Sequence, residues 1–368
     1  MNKTRLEFID VAKFIGMILV ILTHCQEGGG HIIPTVYSFH LPLFFILNGW
    51  TLKIDNLSFG EYLVKKIKSY LIPIFCLGSI VIIFQLFFYH KEGGLIYFGN
   101  EFLNLVEQRR ALTLWFIGAL FFSDIFFYAV YKLGKNKIVF MSIISLLFLG
   151  LGIFINYHYH RALFWNLDAM PFGVFFVYIG YLCSHEKLKK MQNYILSKRW
   201  LSLLVGAGLF FIGFLFSEIN YHVFNQHLEM WGNQYKEYYL TIPSAVFLSL
   251  GVIYLCNTIS NKVLGELGKT TFVLLAFHQT MAMPIFQQKM FPSWYATFKA
   301  LDKMNLTRYQ FSSAETLFCL VFCIAIYYII CYTPLAFMIR KRMPDFYKKA
   351  FYQAKQKISA FFHNKEKI

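Results

Sequence analysis

The sequence predicts an all-α fold: a polytopic integral membrane protein of about ten transmembrane helices with both termini in the cytoplasm. Three observations predict it. Hydrophobic residues make up 57% of the chain and charged residues only 15%, with a mean hydropathy of +0.50, whereas a soluble domain carries about 25% charge. The apolar residues gather into runs close to the ~20 needed to span ~30 Å of hydrocarbon. The basic residues behind the net charge of +16 cluster in short loops between those runs, which points to membrane orientation rather than to nucleic acid.

The runs lie at 8–24, 36–53, 70–89, 113–131, 138–156, 167–183, 200–217, 239–256, 270–288 and 314–338. The first carries Asp10 and Lys13 and lacks a small-residue cleavage site, so it reads as a retained helix rather than a signal peptide. The second holds Pro42, which interrupts a helical hydrogen-bond ladder. The fourth holds Asp124 at mid-span, and the sequence names no partner for it. Between the eighth and ninth, the weakly polar stretch 257–269 is a candidate re-entrant piece. Alternation from a cytoplasmic N-terminus puts 26 of the 35 Lys and Arg inside and 9 outside, which favours an even number of spans.

Residues 1–340 form the membrane-embedded unit and 341–368 a basic cytoplasmic tail. Phe346, Phe351, Phe361 and Phe362 suit that tail to a surface-lying amphipathic helix. Neither the tail nor an outer loop is long enough to bury a core, so the chemistry belongs between membrane helices. The seven cysteines show no CxxC and no Cys/His metal spacing, and read as small buried hydrophobes; no metal is expected.

Ionisable groups inside spans carry the most information, because each costs roughly 2.5–3.5 kcal/mol at a helix centre. Lys13 and His24 are eleven residues apart, which returns them to nearly the same helix face about 16 Å apart along the axis. That spacing fits a ligand with an anionic end inside and a reactive end toward the other leaflet; it equally fits a snorkelling lysine and an interfacial histidine. His40 lies two residues before Pro42, where freed carbonyls suit a cavity wall or a simple helix start. Lys65 and Lys68 share a helix face as i, i+3 neighbours, either to hold a phosphate or as ordinary positive-inside charge. His278 stands alone in the ninth run, as a site residue or a hydrogen-bonded packing residue. Asp10 caps the first helix or pairs with Lys13.

These motifs converge on one resemblance. RLEFIDVAKFIGMILVILTH, Arg5 to His24, resembles the opening helix of acyltransferase family 3, the bacterial membrane O-acyltransferases that modify surface glycans. SFHLPLFFILNGW resembles the family's second-helix block, and KKIKSYLIP its basic segment and proline before the third helix. LWFIGALF, with Trp115, resembles the Trp-Phe block of the fourth, and LGKTTFVLLAFHQ the late helix whose histidine closes the pattern. The DVAK variant and small size are most similar to the fucose 4-O-acetylase-like subgroup. The resemblance implies acetyl transfer from cytoplasmic acetyl-CoA to a hydroxyl of a cell-surface polysaccharide or its lipid-linked precursor, in a bacterial cell membrane, with no nucleic acid involved; it is compatible with a homodimer.

Carried onto this sequence, the resemblance implies His24 as general base and Lys13 as a group that holds the donor. Lys65 and Lys68 fall on the family's Arg-x-x-Arg pair and would meet the CoA phosphates, as point charges without the planar fork of arginine. His40, His278, Trp115 and Asp10 would line the cavity. The rival reading is a carrier or exporter of a glycan or small polar solute on the same helices, which needs a cavity but no CoA site.

Overall fold

Hydrocarbon removes water as a hydrogen-bond partner, so each apolar run folds into a helix that satisfies its own backbone. The computed structural model describes residues 6–26, 32–54, 57–89, 93–135, 137–159, 161–225, 230–232, 237–301, 306–339 and 341. Among them there is no strand, and nine helices are long and apolar enough to cross a membrane. Of the predicted cytoplasmic tail, 341–368, only Lys341 is among the described residues.

The spanning helices are α1 (Glu7–Cys25), α2 (Ile32–Trp50), α3 (Phe59–Phe88), then, after a short α4 (Leu95–Glu107), α5 (Trp115–Gly134), α6 (Ile138–His158) and α7 (Met170–Ser184). After a short α8 (Glu186–Ser197) come α9 (Arg199–Phe224) and α10 (Tyr238–Thr258); two short helices, α11 (Lys262–Leu267) and α12 (Thr271–Phe277), lead through α13 (Pro292–Ala300) to the last span, α14 (Leu306–Cys331). They form two layers. In α2, 78% of the most apolar window is buried in protein, against 17% in α6; α1, α5, α7 and α10 resemble α2, while α3, α9 and α14 resemble α6. The outer helices show Phe140, Leu147, Phe211 and Val321 to the surroundings, as side chains bathed in lipid should.

Three expectations change in detail. Pro42 does not break α2, which runs straight through it. It removes one backbone donor, and neighbouring hydroxyls serve the carbonyls nearby: Ser249 of α10 donates to the Phe39 carbonyl at 3.4 Å. The ninth run, 270–288, is not one uninterrupted α-helix; α12 passes into π turns at His278–Ala282 and Ile285–Met290 around Pro284, which cannot continue a regular ladder. The 257–269 stretch holds α11, which packs on α1, and Gly268 lies where a side chain would overlap the Asp10 carbonyl. The amphipathic helices α4 and α8 fill loops in which the sequence marked no element.

The inner layer closes by backbone contact. A Cβ on Gly49 would overlap the Val177 carbonyl oxygen, and one on Gly180 the Ile46 carbonyl oxygen. The α2–α7 crossing is thus a mutual glycine contact, the small-residue packing expected where lipid supplies no hydrophobic drive between helices. Gly180→Ala is expected to lower the thermal unfolding midpoint and folded yield of the detergent-solubilised protein, overpacking costing about 1–3 kcal/mol or more. Gly208→Ala on α9, where nothing lies within 4 Å of the added carbon, should leave the midpoint unchanged or raise it. Thermal scanning with size-exclusion chromatography measures both.

Candidate functional site

The residues Asp10, Lys13, Met17, Val20 and His24 repeat at three- and four-residue steps and form one stripe of α1. That stripe faces two adjoining chambers. The first, of about 580 Å³, is lined by Asp10, Lys13, Asn48, Tyr70, Lys269 and Lys341, among others. The second, of about 550 Å³, is lined by His24, His40, His278, Arg110, Trp115 and Trp231, among others. Val20, Leu41, Phe116 and Leu275 border both and form an apolar waist between them. A smaller cavity of about 340 Å³ opens from the second beside His24, Tyr37 and Tyr89, edged by Gln279, Gln287 and Gln288.

In the basic chamber, Lys13 Nζ stands 3.4 Å from Asp10 Oδ1 and remains partly exposed. Lys269 pairs with Glu266 on its own turn. With Lys341, these give the chamber more cationic than anionic side chains. Its far wall is fixed by Asp124, whose partner is Lys66: the two form a buried ion pair. The same carboxylate accepts from Asn48 Nδ2 at 2.5 Å and from the Tyr70 hydroxyl at 2.9 Å. The Lys66 ammonium sits 5.2 Å from the ring centroids of both Tyr62 and Tyr70, so two aromatic faces complete its enclosure.

Lys65 and Lys68 are not brought to this cavity. Both are exposed, and neither lines either chamber; the buried cation of that run is Lys66. The sequence carried a signal for it in Tyr62, Lys66 and Tyr70, an i, i+4, i+8 series that puts a lysine between two tyrosines on one face.

The second chamber collects four of the sequence-predicted residues. His24 and His278 have ring centroids 5.3 Å apart, tilted by 42°. His278 Nδ1 is 2.8 Å from the Leu274 carbonyl oxygen, four residues back. A carbonyl only accepts, so that nitrogen carries the proton and Nε2 the lone pair. His278 Nε2 is buried with no hydrogen-bond partner among the described residues. His40 repeats the first arrangement, Nδ1 to the Val36 carbonyl at 3.0 Å, and meets the Tyr37 ring edge-on at 5.2 Å. Trp115 lies beneath the Arg110 guanidinium at 4.7 Å.

Arg110 is a residue that charge counting left in an outer loop. Its guanidinium donates to Asn166 Oδ1 at 2.7 Å, to the Trp231 carbonyl at 2.6 Å and to the Met230 carbonyl at 3.1 Å, and forms a buried ion pair with Asp168. One side chain therefore ties three loops into a wall. With this cation paired, the other named polar groups of the chamber are imidazoles, amides, hydroxyls and indoles. Such a lining suits an uncharged hydroxyl-bearing ligand, while the basic chamber suits an anion. Among the described residues, no group of three or more His, Cys, Asp or Glu is placed to hold a metal ion.

A family model described as an acyltransferase domain matches residues 6–332, a span that includes all nine apolar helices. No curated protein and no solved structure matches the chain.

Asp124→Leu alone strands the Lys66 ammonium in the protein and is expected to lower stability by about 3–5 kcal/mol. Asp124→Leu with Lys66→Met should recover most of that loss. A double-mutant cycle on unfolding of the detergent-solubilised protein measures the coupling.

Proposed function

The chain belongs to acyltransferase family 3, and from that premise we propose that it moves an acetyl group from cytoplasmic acetyl-CoA to a hydroxyl of a cell-surface glycan or its lipid-linked precursor. The observation that carries this reading is the α1 stripe: Lys13 lines a basic chamber, His24 lines a polar one whose Arg110 is ion-paired, and the two chambers meet at an apolar waist. The excess of Lys and Arg in the loops on one side of the spans favours a cytoplasmic Lys13 end.

On this reading the phosphates of the donor lie among Lys13, Lys269 and Lys341, where ammonium groups answer their charge. The pantetheine arm passes the waist of Val20, Leu41, Phe116 and Leu275, and the thioester reaches His24. The acceptor sugar comes from the other side, where Trp115, Trp231 and Tyr37 offer ring faces. His24 takes the proton of the acceptor hydroxyl as its oxygen bonds to the thioester carbon. The carbon–sulfur bond breaks, and the thiolate leaves as a thiol with the proton His24 gives back. Each group returns to its starting state. A neutral imidazole suits this because its ordinary pKa lies near working pH, and base catalysis of this kind contributes ~10²–10⁴-fold.

His24→Ala is expected to abolish acetate on glycan purified from expressing cells, read by NMR, while the protein stays in the membrane fraction. Labelled acetyl-CoA should bind the solubilised His24→Ala protein and bind Lys13→Ala more weakly. Retained acetylation in His24→Ala would remove the base; folded wild-type protein that binds no acetyl-CoA would favour a carrier of glycans or small solutes.

A further inference from the structure

Burying a hydrogen-bond acceptor without a donor is unfavourable. His278 Nε2 is such an acceptor, and the residue that carries it is among those lining the chamber where the reaction is placed. Two features hold it there. Nδ1–H donates to the Leu274 carbonyl oxygen at 2.8 Å, which fixes the tautomer and leaves Nε2 able only to accept. The π turn that starts at His278 sets the residue off from the regular ladder of α12, a local irregularity frequent at functional sites. The ring facing it is His24, at 5.3 Å between centroids. Two imidazoles joined edge to edge by one N–H···N bond have about that separation, a hydrogen-bond length plus two ring radii.

We propose that His278 is a positioning residue for His24: its Nε2 accepts the N–H of the His24 ring, so that the other nitrogen of His24 presents its lone pair to the acceptor hydroxyl. A turn of the His24 ring within the chamber makes the bond. The consequence is differential. While His24 is neutral, the bond orients it and selects its tautomer. When His24 takes the hydroxyl proton and becomes an imidazolium, the same N–H becomes part of a cation, and the bond strengthens to a charge-assisted one. Stabilisation that grows as the reaction proceeds raises turnover rather than ground-state binding. His278 itself gains and loses no proton: its hydrogen stays on Nδ1, donated to the Leu274 carbonyl.

This inference rests on the acyltransferase reading, and the test separates the two. Wild type, His278→Gln and His278→Leu are purified in lipid nanodiscs, and labelled acetyl-CoA binding confirms that each is folded. Thiol release from acetyl-CoA is then followed with a mixture of methyl glycosides as the probe acceptor. His278→Leu is expected to lower turnover by about 10- to 100-fold with the donor KM within about twofold, the split a transition-state interaction gives. His278→Gln, which keeps an acceptor oxygen, should recover part of the loss. Histidine ¹⁵N NMR supplies a readout apart from activity: the His24 signals, assigned by their loss in His24→Ala, should show one neutral tautomer in wild type and a mixture in His278→Leu. Turnover within twofold of wild type in His278→Leu, or an unchanged His24 tautomer, would overturn the proposal. Wild type that binds no donor would instead sink the acyltransferase reading and leave the His24 tautomer result to judge the pairing by itself.

Discussion

Lys66 and Asp124 form an ion pair in the interior of a protein already surrounded by hydrocarbon. Side-chain exposure is 9% for Lys66 and 0% for Asp124, so water does little for either charge and each depends on the other. Desolvation of two ions offsets much of their attraction, and such a pair adds little net stability compared with an apolar pair. What it adds is register. Asp124 on α5 also accepts from Asn48 on α2 and from Tyr70 on α3, so one carboxylate fixes three helices at the wall of the basic chamber. A shift of α3 by one residue would move Lys66 out of its tyrosine cage and leave the carboxylate unanswered.

Arg110 does the same work at the other chamber, with a different instrument. A guanidinium has a planar set of donors, and here they reach Asn166, Asp168 and two carbonyls of the 230–231 segment. Its face lies on Trp115. The two clasps sit on opposite sides of the apolar waist. Between them the chambers keep contrasting character, rich in lysine on one side and, apart from the paired Arg110, polar and uncharged on the other. On the proposed reading, that contrast would let an anionic donor enter from one end and a neutral acceptor from the other.

Much of this was legible in the residues. The apolar runs located the spanning helices, since length and hydropathy alone decide which segments can cross a bilayer. The eleven-residue step from Lys13 to His24 put both on one stripe, because helical periodicity is indifferent to tertiary context. What periodicity could not supply was the identity of long-range partners. Lys65 and Lys68 share a face, yet the buried cation is Lys66, chosen by a carboxylate 58 residues away. Arg110 looked like loop charge because its partners come from two other loops. Pro42 looked like a break, since the sequence does not show how closely α7 and α10 pack against α2 and hold it helical. His278 was visible as a lone intramembrane histidine, but its neighbour, the His24 ring, depends on how two helices distant in sequence pack, which single-residue propensities do not reveal.

The most direct measurement is an experimental structure, by cryo-electron microscopy in nanodiscs, of the protein with a non-hydrolysable thioether analogue of acetyl-CoA. Density running from phosphates among Lys13, Lys269 and Lys341, through the gap between Val20 and Phe116, to a sulfur beside His24 is the predicted result. An analogue held at the exposed Lys65–Lys68 surface, or a waist sealed against it with His24 turned toward lipid, would contradict the claim that one helix stripe carries donor and base.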